Sequence, residues 1–428
     1  MEADTQQTIE AVWHIELARL IARLARIVRD VGAAEDLAQD AYVAALEQWP
    51  QTGVPAKPGA WLMAAARNRA IDAIRRRRTL ERKRHVLARD LEIEAELEAP
   101  DFDELAADDV GDDMLRLIFT CCHPVLPAEA RVALSLRLLG GLTTDEIGRA
   151  YLLPTPTIAQ RITRAKRTLA EAHVPYELPA APDLAERLAS VQEVIYLIFN
   201  EGYSATAGED WLRPELCNEA LRLGRVLARL MPDEPEVHGL AALMELQASR
   251  LRARVGAGGR PILLLDQDRG RWDRLLIGRG LAALTRAESF GGTLGQYGLQ
   301  AAIAACHARA RSADETDWVQ IVALYDALAQ VAPSPVVELN RAMAVAMAYG
   351  PAEGLEIIDG LADEPALRSY HLLPSARAEL LIRLGRLDEA RGELARAAAL
   401  TRNEQDRRML LTRAAELPAG QPPERLAN

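Results

Sequence analysis

The sequence predicts an all-α protein, and two observations support that prediction. Alanine, leucine, arginine and glutamate dominate the 428 residues, and all four favour helices. Alternating strand patterns are scarce, and aromatic residues make up only 4% of the chain, which argues against a sheet. The one exception is "GAGGRPILLLDQD" at 256–268, where glycines and a proline before a short apolar run predict a loop or an isolated extended piece.

Composition limits the classes of protein that fit. A chain of 428 residues has material for about two to four domains. No stretch approaches the roughly 18 uninterrupted apolar residues of a membrane helix, so we expect no membrane partner. The acidic start "MEADTQQTIEAVWHIEL" does not resemble a secretory signal, and four cysteines do not make a disulfide framework, which together favour the cytoplasm. The net charge of −11 argues against indiscriminate binding of nucleic acid.

Charge divides the chain more sharply than hydrophobicity does. Residues 61–89 contain ten Lys or Arg and two acids, whereas residues 90–113 contain twelve Asp or Glu and no basic residue. Like charges repel, so we expect a mobile or loosely helical linker there. Three prolines within 174–183 predict a second boundary. The predicted segments are 8–89, the acidic linker 90–111, then 112–175 and 183–418.

Two amphipathic helices are predicted in the first segment. In "GAAEDLAQDAYVAALEQW" the inner face comprises Ala34, Leu37, Ala38, Ala41, Ala45 and Leu46, and the outer face comprises Glu35, Asp36, Gln39 and Asp40. In "WLMAAARNRAIDAIRRRR" (61–78) the inner face comprises Leu62, Ala66, Ala70, Ile71 and Ile74, and the outer face comprises Arg67, Asn68, Asp72, Arg75 and Arg76. The closing arginines fit phosphate binding, but arginines also complement the dipole at a helix C-terminus.

The second segment ends in a helix-turn-helix pattern. Residues 143–172 predict a helix, a tight turn around Leu152 to Pro154, and a second helix that Thr155 caps. Ile158, Ile162, Ala165 and Leu169 would pack inward against Ile147, with Thr157, Gln160, Arg161 and Arg164 outside. Four basic residues and no acid lie between Thr155 and Ala170, which suits a helix in the DNA major groove. A plain α-hairpin is the alternative.

The order of these motifs resembles that of bacterial RNA polymerase sigma factors of the sigma-70 superfamily, extracytoplasmic-function type. The similarity covers about residues 10–172 and is carried by "AAEDLAQDAYVAALEQW", "PGAWLMAAARNRAIDAIRRRR" and "LPAEARVALSLRLLGGLTTDEIGRAYLLPTPTIAQRITRAKRTL". It implies two promoter-binding domains, region 2 at 8–89 and region 4 at 112–175. The implied partners are promoter DNA and core RNA polymerase, through the clamp of its largest subunit and its flap.

The resemblance implies a set of binding residues for each partner. Core polymerase would be bound by Asp36, Leu37, Gln39, Asp40 and Tyr42. The −10 promoter element would be bound and opened by Trp61, Arg67, Asn68, Asp72, Arg75 and Arg76, although Trp61 and Tyr42 could equally be core residues. The −35 element would be read by Thr155, Thr157, Gln160, Arg161, Arg164, Lys166 and Arg167. The acidic linker would thread the polymerase cleft and the RNA exit path, or serve as a plain spacer.

The third segment has no counterpart in a minimal sigma factor. Residues 340–361 and 376–397 repeat a helix–glycine–helix pattern at a spacing of about 35 residues, near that of tetratricopeptide repeats. The whole arrangement looks like the sigma subgroup with a C-terminal tetratricopeptide-like extension, of which "IFNEGYSA" (198–205) and "DQDRGRWDR" (266–274) are typical. Because helical repeats form protein-binding surfaces, we expect a regulatory protein partner there.

Enzymatic and metal-binding readings are weaker. "CCHP" at 121–124 and "CH" at 306–307 lack the ligand spacing of a zinc site, so core packing is favoured, and no metal or cofactor is expected. One asparagine and four carboxylates could line a pocket in the extension, though surface or capping roles fit them better: Asn200, Glu201, Asp266, Asp268 and Asp273. No phosphate loop, nucleophile elbow or zinc-protease motif occurs. The sequence predicts a sigma factor and not an enzyme; the alternative is a helical-repeat scaffold or DNA-binding regulator without sigma activity.

Overall fold

The computed structural model describes residues 2–67 and 69, 110–151, 153–205, 207–208, 211–256 and 260–418. Within these ranges the protein is helical, as predicted, and the one sheet is a parallel pair of dipeptides, β1 (Ala207–Gly208) and β2 (Arg402–Asn403). The chain divides into two compact units, Met1–Ile195 and Tyr196–Asn428. We refer to them as unit 1 and unit 2.

The described residues of unit 1 are mostly helical. Its helices are α1 (Glu2–Val28), α2 (Val31–Thr52), a helical stretch at 58–67, α3 (Val110–Cys121), α4 (Ala128–Leu138), α5 (Thr144–Tyr151), α6 (Thr155–Glu171) and the first part of α7 (Ala181–Tyr203). Asp30 fixes the start of α2, because its carboxylate accepts a hydrogen bond from the backbone N–H of Ala33 at 2.8 Å. Gly53, with a φ of +83°, ends the same helix.

The two predicted segments of unit 1 pack against each other through α1. This helix contacts both α2 and α3. Tyr176, which follows α6, donates its hydroxyl to the carbonyl oxygens of Ala22 (2.9 Å) and Asp113 (3.1 Å). Arg26 of α1 lies 3.4 Å from the Asp113 carboxylate. The first segment is therefore joined to the second by buried polar contacts as well as by apolar packing.

The end of the acidic run lies in a helix. Helix α3 begins at Val110 and so includes the last two residues of the predicted linker 90–111. Asp113, counted in the acidic run, is 1% exposed and pairs with Arg26 and Arg116. Burial raises the pKa of Asp113 and outweighs the two arginines, which lower it. Residues 90–109, the rest of the predicted linker, lie outside the described residues.

The start of α7 belongs to unit 1. Arg187 donates to the carbonyl of Phe119 at 2.7 Å, and Ser190 donates to the carbonyl of Cys122 at 2.5 Å. Arg131 forms an ion pair with Glu193 at 2.9 Å. The two units consequently divide inside α7, whereas the sequence predicts that the third segment starts at 183.

Unit 2 continues with short helices. They are α8 (Pro214–Leu230), α9 (Pro235–Ala248), α10 (Arg274–Glu288), α11 (Gln296–Arg309), α12 (Trp318–Val331), α13 (Pro335–Ala348), α14 (Pro351–Gly360), α15 (Leu372–Arg383), α16 (Leu387–Leu400) and α17 (Glu404–Glu416). Among the described residues between α9 and α10, single turns of 3₁₀-helix occur at Leu251–Ala253, Leu264–Asp266 and Arg269–Arg271, in agreement with the predicted loop. From α11 onward each helix packs on the next, as in a chain of helical hairpins.

Both glycines of the repeated pattern lie between paired helices. Gly350, with a φ of +132°, separates α13 from α14, and Gly385, with a φ of +74°, separates α15 from α16. L-residues rarely adopt such backbone angles, which explains a glycine at each turn. Leu339, Leu355, Leu373 and Leu380 are buried together between these pairs. The predicted helix–glycine–helix geometry is confirmed, while its kinship to tetratricopeptide repeats stays a prediction.

Candidate nucleic-acid interface

A capping box begins the helix-turn-helix. The backbone N–H of Glu146 donates to the Thr143 hydroxyl oxygen at 3.1 Å, and the Thr143 N–H donates back to the Glu146 carboxylate at 2.7 Å. Two N–H groups that would otherwise lack partners at the start of α5 are thereby satisfied. The sequence "TTDE" thus fixes the first residue of α5.

The turn between α5 and α6 depends on a close approach at Gly148. The backbone N–H of Leu153 donates to the carbonyl of Gly148 at 2.9 Å. A Cβ atom at position 148 would lie 2.8 Å from the Leu153 carbonyl oxygen, closer than such contacts occur. Glycine is therefore required for the tight turn that sets the angle between the two helices.

The amphipathic pattern predicted for α6 is confirmed. Ile158, Ile162, Ala165 and Leu169 are buried. The predicted −35 residues on the opposite face are exposed at Thr157, Gln160, Arg164 and Arg167 and half-buried at Thr155, Arg161 and Lys166. The described residues of α6 therefore present polar and basic side chains over several turns.

Thr155 does not cap α6, and that prediction is wrong. Pro154 occupies the N-cap position, and Thr155 is the first helical residue. The Thr155 hydroxyl donates instead to the Asp145 carboxylate at 3.1 Å, which links α6 to α5.

Lys166 faces protein rather than solvent. Its ammonium group and the Arg137 guanidinium both pair with Glu35 of α2, the latter at 2.6 Å between Arg137 Nε and Glu35 Oε1. Glu35 is 4% exposed, so its predicted place on the outer face is wrong. Burial alone would raise the pKa of Glu35, but Lys166 and Arg137 outweigh it and hold that pKa below its usual value.

The exposed face of α2 is narrower than the sequence predicts. Asp36 and Asp40 are exposed, and Gln39 donates its side-chain amide to Glu35 at 2.8 Å. Tyr42 is half-buried and stacks on Trp13 at 4.4 Å between ring centroids. The inner face also differs, because Leu46 is 36% exposed.

Leu37 is one of the predicted polymerase-binding residues, but its side chain is 7% exposed and belongs to the hydrophobic core. A buried side chain cannot form part of a docking surface in this conformation. Of the five predicted residues, the two acids Asp36 and Asp40 are therefore the ones that project into solvent on α2.

The predicted −10 residues fall partly within the described chain. Trp61 is half-buried and meets the buried Trp49 edge to face, 5.3 Å between centroids. Arg67 is half-buried, and Leu62 and Ala66 are buried as predicted. Asn68, Asp72, Arg75 and Arg76, together with the inner positions Ala70, Ile71 and Ile74, lie outside the described residues.

A cleft before this helical stretch was not predicted. It has a volume of about 510 Å³ and lies between α1 and residues 57–63. Three basic side chains and one acidic side chain line it, namely Arg19, Arg23, Lys57 and Glu16. Two arginines four residues apart on α1 were the sequence signal for this site, since such residues share a helix face.

Comparison with known families covers all three segments. Residues 14–79 match sigma-70 region 2, and residues 116–169 match sigma-70 region 4. Residues 187–288 match a family of unknown function, DUF6596. The chain belongs to the sigma-70 family, extracytoplasmic-function type. It carries an additional C-terminal domain.

Two of three similar proteins are named as sigma factors. An uncharacterised protein of Rhizobium meliloti (strain 1021) is 45% identical over 91% of this chain and 92% of its own length. The ECF RNA polymerase sigma factor SigC of Mycobacterium tuberculosis is 28% identical over 40% of this chain and 80% of its own. The corresponding values for SigK of Mycobacterium ulcerans are 28%, 35% and 78%. No solved structure matches the chain.

The family assignment gives the elements their names. Region 2 comprises α1 from residue 14, α2 and the stretch at 58–67, and region 4 comprises most of α3 to α6. The exposed, basic face of α6 belongs to the helix-turn-helix of region 4. Among the described residues, no helix combines the length and apolar character needed to cross a membrane.

Proposed function

We propose that this sigma factor binds core RNA polymerase and directs it to promoters that have −35 and −10 elements. The main support for the proposal is the exposed basic face of α6. This helix is the second of a helix-turn-helix that lies within the residues matching region 4. Two relatives that are named ECF RNA polymerase sigma factors support it. The protein would act in the cytoplasm, where polymerase works, and without an enzymatic activity of its own.

Each surface has a proposed partner. The −35 duplex would meet Thr155, Thr157, Gln160, Arg161, Arg164 and Arg167 at the N-terminal and central turns of α6, because short polar side chains there reach base edges and arginines neutralise phosphates. Lys166 could join them only after it leaves Glu35. The −10 element would be opened by the 61–78 stretch, and the cleft near Lys57 is large enough for a base. The acidic linker 90–111 would thread the polymerase cleft.

Core polymerase would dock on the exposed acids of α2. Asp36 and Asp40 project from the same helix, and the clamp of the largest subunit is the proposed partner, with region 4 on the flap. Reversal of both charges (Asp36→Lys, Asp40→Lys) should weaken association with purified core enzyme. The matched control reverses two exposed acids of unit 2, Glu288 and Asp314, and should leave association unchanged.

The extension would modulate this activity. We propose that its paired helices form a tetratricopeptide-like array that binds a regulatory protein, because arrays of helical repeats present protein-binding surfaces. Deletion from residue 178 would not test this role cleanly, because Arg187, Ser190 and Glu193 pack on region 4. Point variants in unit 2 test the regulatory role more cleanly.

Run-off transcription tests the main proposal. Purified core enzyme, the full chain and a promoter library should give start sites that disappear when the chain is omitted. If the chain binds DNA but produces no start sites and does not associate with core, it is a scaffold or a DNA-binding regulator without sigma activity. That outcome would overturn the proposal.

A further inference from the structure

An exposed acid lies beside the helix assigned to the −35 element, although that helix is basic. Residues 155–170 of the chain contain basic residues and no acid. The Asp145 carboxylate, on the first turn of α5, nevertheless accepts a hydrogen bond from the Thr155 hydroxyl at 3.1 Å. The other acid of that turn, Glu146, belongs to the capping box with Thr143. Because a carboxylate repels DNA phosphates, attraction to the DNA backbone does not account for an exposed Asp145 here.

The backbone of the helix-turn-helix holds Asp145 and Thr155 in place. Thr155 is the first residue of α6. A Cβ atom at Gly148 would lie 3.6 Å from the Thr155 nitrogen and 3.7 Å from its Cα atom, so the start of α6 packs directly on α5. The capping box fixes the first turn of α5, which carries Asp145. Both side chains therefore project from regular helices and not from a loose loop.

The hydrogen bond to Asp145 limits what the Thr155 hydroxyl can offer to DNA. A hydroxyl has one hydrogen to donate and two lone pairs that accept. The hydrogen of Thr155 is directed at Asp145, so its oxygen can only accept a further hydrogen bond. Phosphate oxygens, N7 and O6 of guanine, and O4 of thymine are also acceptors. None of these atoms is a partner for two adjacent acceptors on the protein.

Amino groups are the hydrogen-bond donors of the DNA major groove. Adenine offers its N6 amino group there but places the acceptor N7 beside it, whereas the major-groove edge of cytosine offers the N4 amino group and no acceptor. Side chains at the start of the second helix of a helix-turn-helix are the ones that contact base edges. Two adjacent acceptors at that point are therefore complementary to cytosine.

We propose that Asp145 and Thr155 form an acceptor pair that selects a cytosine of the −35 element through its N4 amino group. Asp145 fixes the direction of the Thr155 hydroxyl and accepts from the same amino group, which makes this residue of α5 a determinant of promoter specificity. The inference rests on the proposed reading of the −35 element by α6. Thr157 offers a comparison, since it is exposed and its hydroxyl has no partner among the described residues, so it can donate as well as accept.

Selection of bound duplexes from a library with a randomised −35 segment tests the acceptor pair in the full chain. At one base pair we expect the unmodified chain to prefer cytosine about tenfold over the other bases. Asp145→Asn introduces a donor and Thr155→Val removes the hydroxyl, so each should reduce that preference to less than about twofold and leave the other positions unchanged. Thr155→Ser retains the hydroxyl and should retain the preference, as should the matched control Thr157→Val.

The same selection separates this inference from the proposed function. If the unmodified chain selects no sequence at all, the proposed reading of promoters fails and the acceptor pair fails with it. If the chain selects sequences and both variants select the same ones, the acceptor pair alone is rejected. A uniform gain of affinity for every duplex in Asp145→Asn, with a steeper salt dependence, would show plain repulsion of phosphates by Asp145 and would also reject it.

A modified base tests the contact without any change in the protein, and so applies even if the variants fail to fold. The probe is the selected duplex with pyrimidin-2-one in place of the preferred cytosine, which removes the N4 amino group. It should bind to the unmodified chain about tenfold more weakly than the parent duplex. The same replacement at a cytosine outside the −35 segment is the control. Equal binding of the two modified duplexes would overturn the proposal.

Discussion

Arg137 Nε lies 2.6 Å from Glu35 Oε1, although 102 residues separate the two in the chain. Glu35 belongs to region 2 and Arg137 to region 4, and Lys166 of α6 pairs with the same carboxylate. One buried acid thus joins the two promoter-binding regions. A residue proposed to contact DNA is engaged by protein in this conformation.

Removing the charge of Glu35 should weaken the packing of region 2 on region 4. We expect Glu35→Gln to lower the free energy of unfolding of unit 1 by about 1–3 kcal/mol, because two cations lose a buried acceptor. Urea denaturation of the full chain measures the change. Glu47→Gln, at an exposed position on the same helix, is the control and should be neutral.

The effect of Glu35→Gln should depend on pH. The pKa of Glu35 is lowered in the folded chain, so its stabilising contribution is complete above the ordinary value of 4.5 and is lost as pH falls through the lower folded value. The stability difference between the two chains should therefore shrink as pH falls below 4.5. A difference that stays constant down to the acid-unfolded state would rule out the ion pairs as its source.

The turn of the helix-turn-helix gives a separate prediction. Gly148→Ala should destabilise unit 1 by about 1–3 kcal/mol, because the added methyl group meets the Leu153 carbonyl oxygen at 2.8 Å. Gly278→Ala is the matched control, since a Cβ there meets nothing within 4 Å and alanine favours a helix. Thermal unfolding measures the stability of both variants. Equal stability of the two would mean that the turn accommodates the added methyl group without cost.

Promoter binding through α6 should respond to charge and to salt. We expect Arg161→Glu with Arg164→Glu to weaken binding of a −35 duplex and to reduce the slope of log K against log salt by about 2, since each phosphate contact contributes about 0.9. Reversal of Arg229 and Arg279, both exposed in unit 2, matches the change in net charge and should leave the slope unaltered. Fluorescence anisotropy at several salt concentrations measures both. An unchanged slope in the α6 variant would remove these arginines from the interface.

The outcome at individual residues shows what sequence periodicity could and could not predict. The burial of Ile158, Ile162, Ala165 and Leu169 follows from a 3.6-residue repeat, which is a local property of the chain. Glu35 has the same local pattern as Asp36, yet it is buried, because its partners Arg137 and Lys166 arrive from distant helices. Periodicity predicts which face of a helix a residue occupies. It does not predict which residues of another domain pack against that face.

The ring contacts of Arg250 in unit 2 illustrate the same limit. Arg250 lies in the turn after α9, Tyr203 at the end of α7 and Trp272 in the loop before α10. The sequence singled out "IFNEGYSA" and "DQDRGRWDR" for carboxylates and an asparagine, of which Asp268 and Asp273 prove to be helix caps. Tyr203 and Trp272 of the same two stretches contact Arg250, and no one-dimensional pattern brings them together.

Acid stability of unit 2 should depend on His307. Burial, with the neighbouring charges of Arg250 and Arg269, lowers the pKa of His307 to about 3. In the unfolded chain the histidine has its ordinary pKa of 6.5, so between pH 6.5 and 3 it binds a proton there but not in the folded chain. The contribution of His307 to stability is therefore complete above pH 6.5 and is lost as pH falls toward 3. Between these limits it should reduce the free energy of unfolding by up to about 1.4 kcal/mol per pH unit.

His307→Gln removes that titration. The variant should differ from the unmodified chain by a nearly constant amount between pH 8 and 7, where His307 is mostly neutral in both the folded and the unfolded state. The difference should then change steadily in favour of the variant as pH falls below 6.5, when only the unmodified chain has a histidine to protonate on unfolding. Denaturation with urea at a series of pH values measures it. Parallel curves for the two chains down to pH 4 would show that His307 accepts a proton inside the folded unit, in conflict with its surroundings of two arginines.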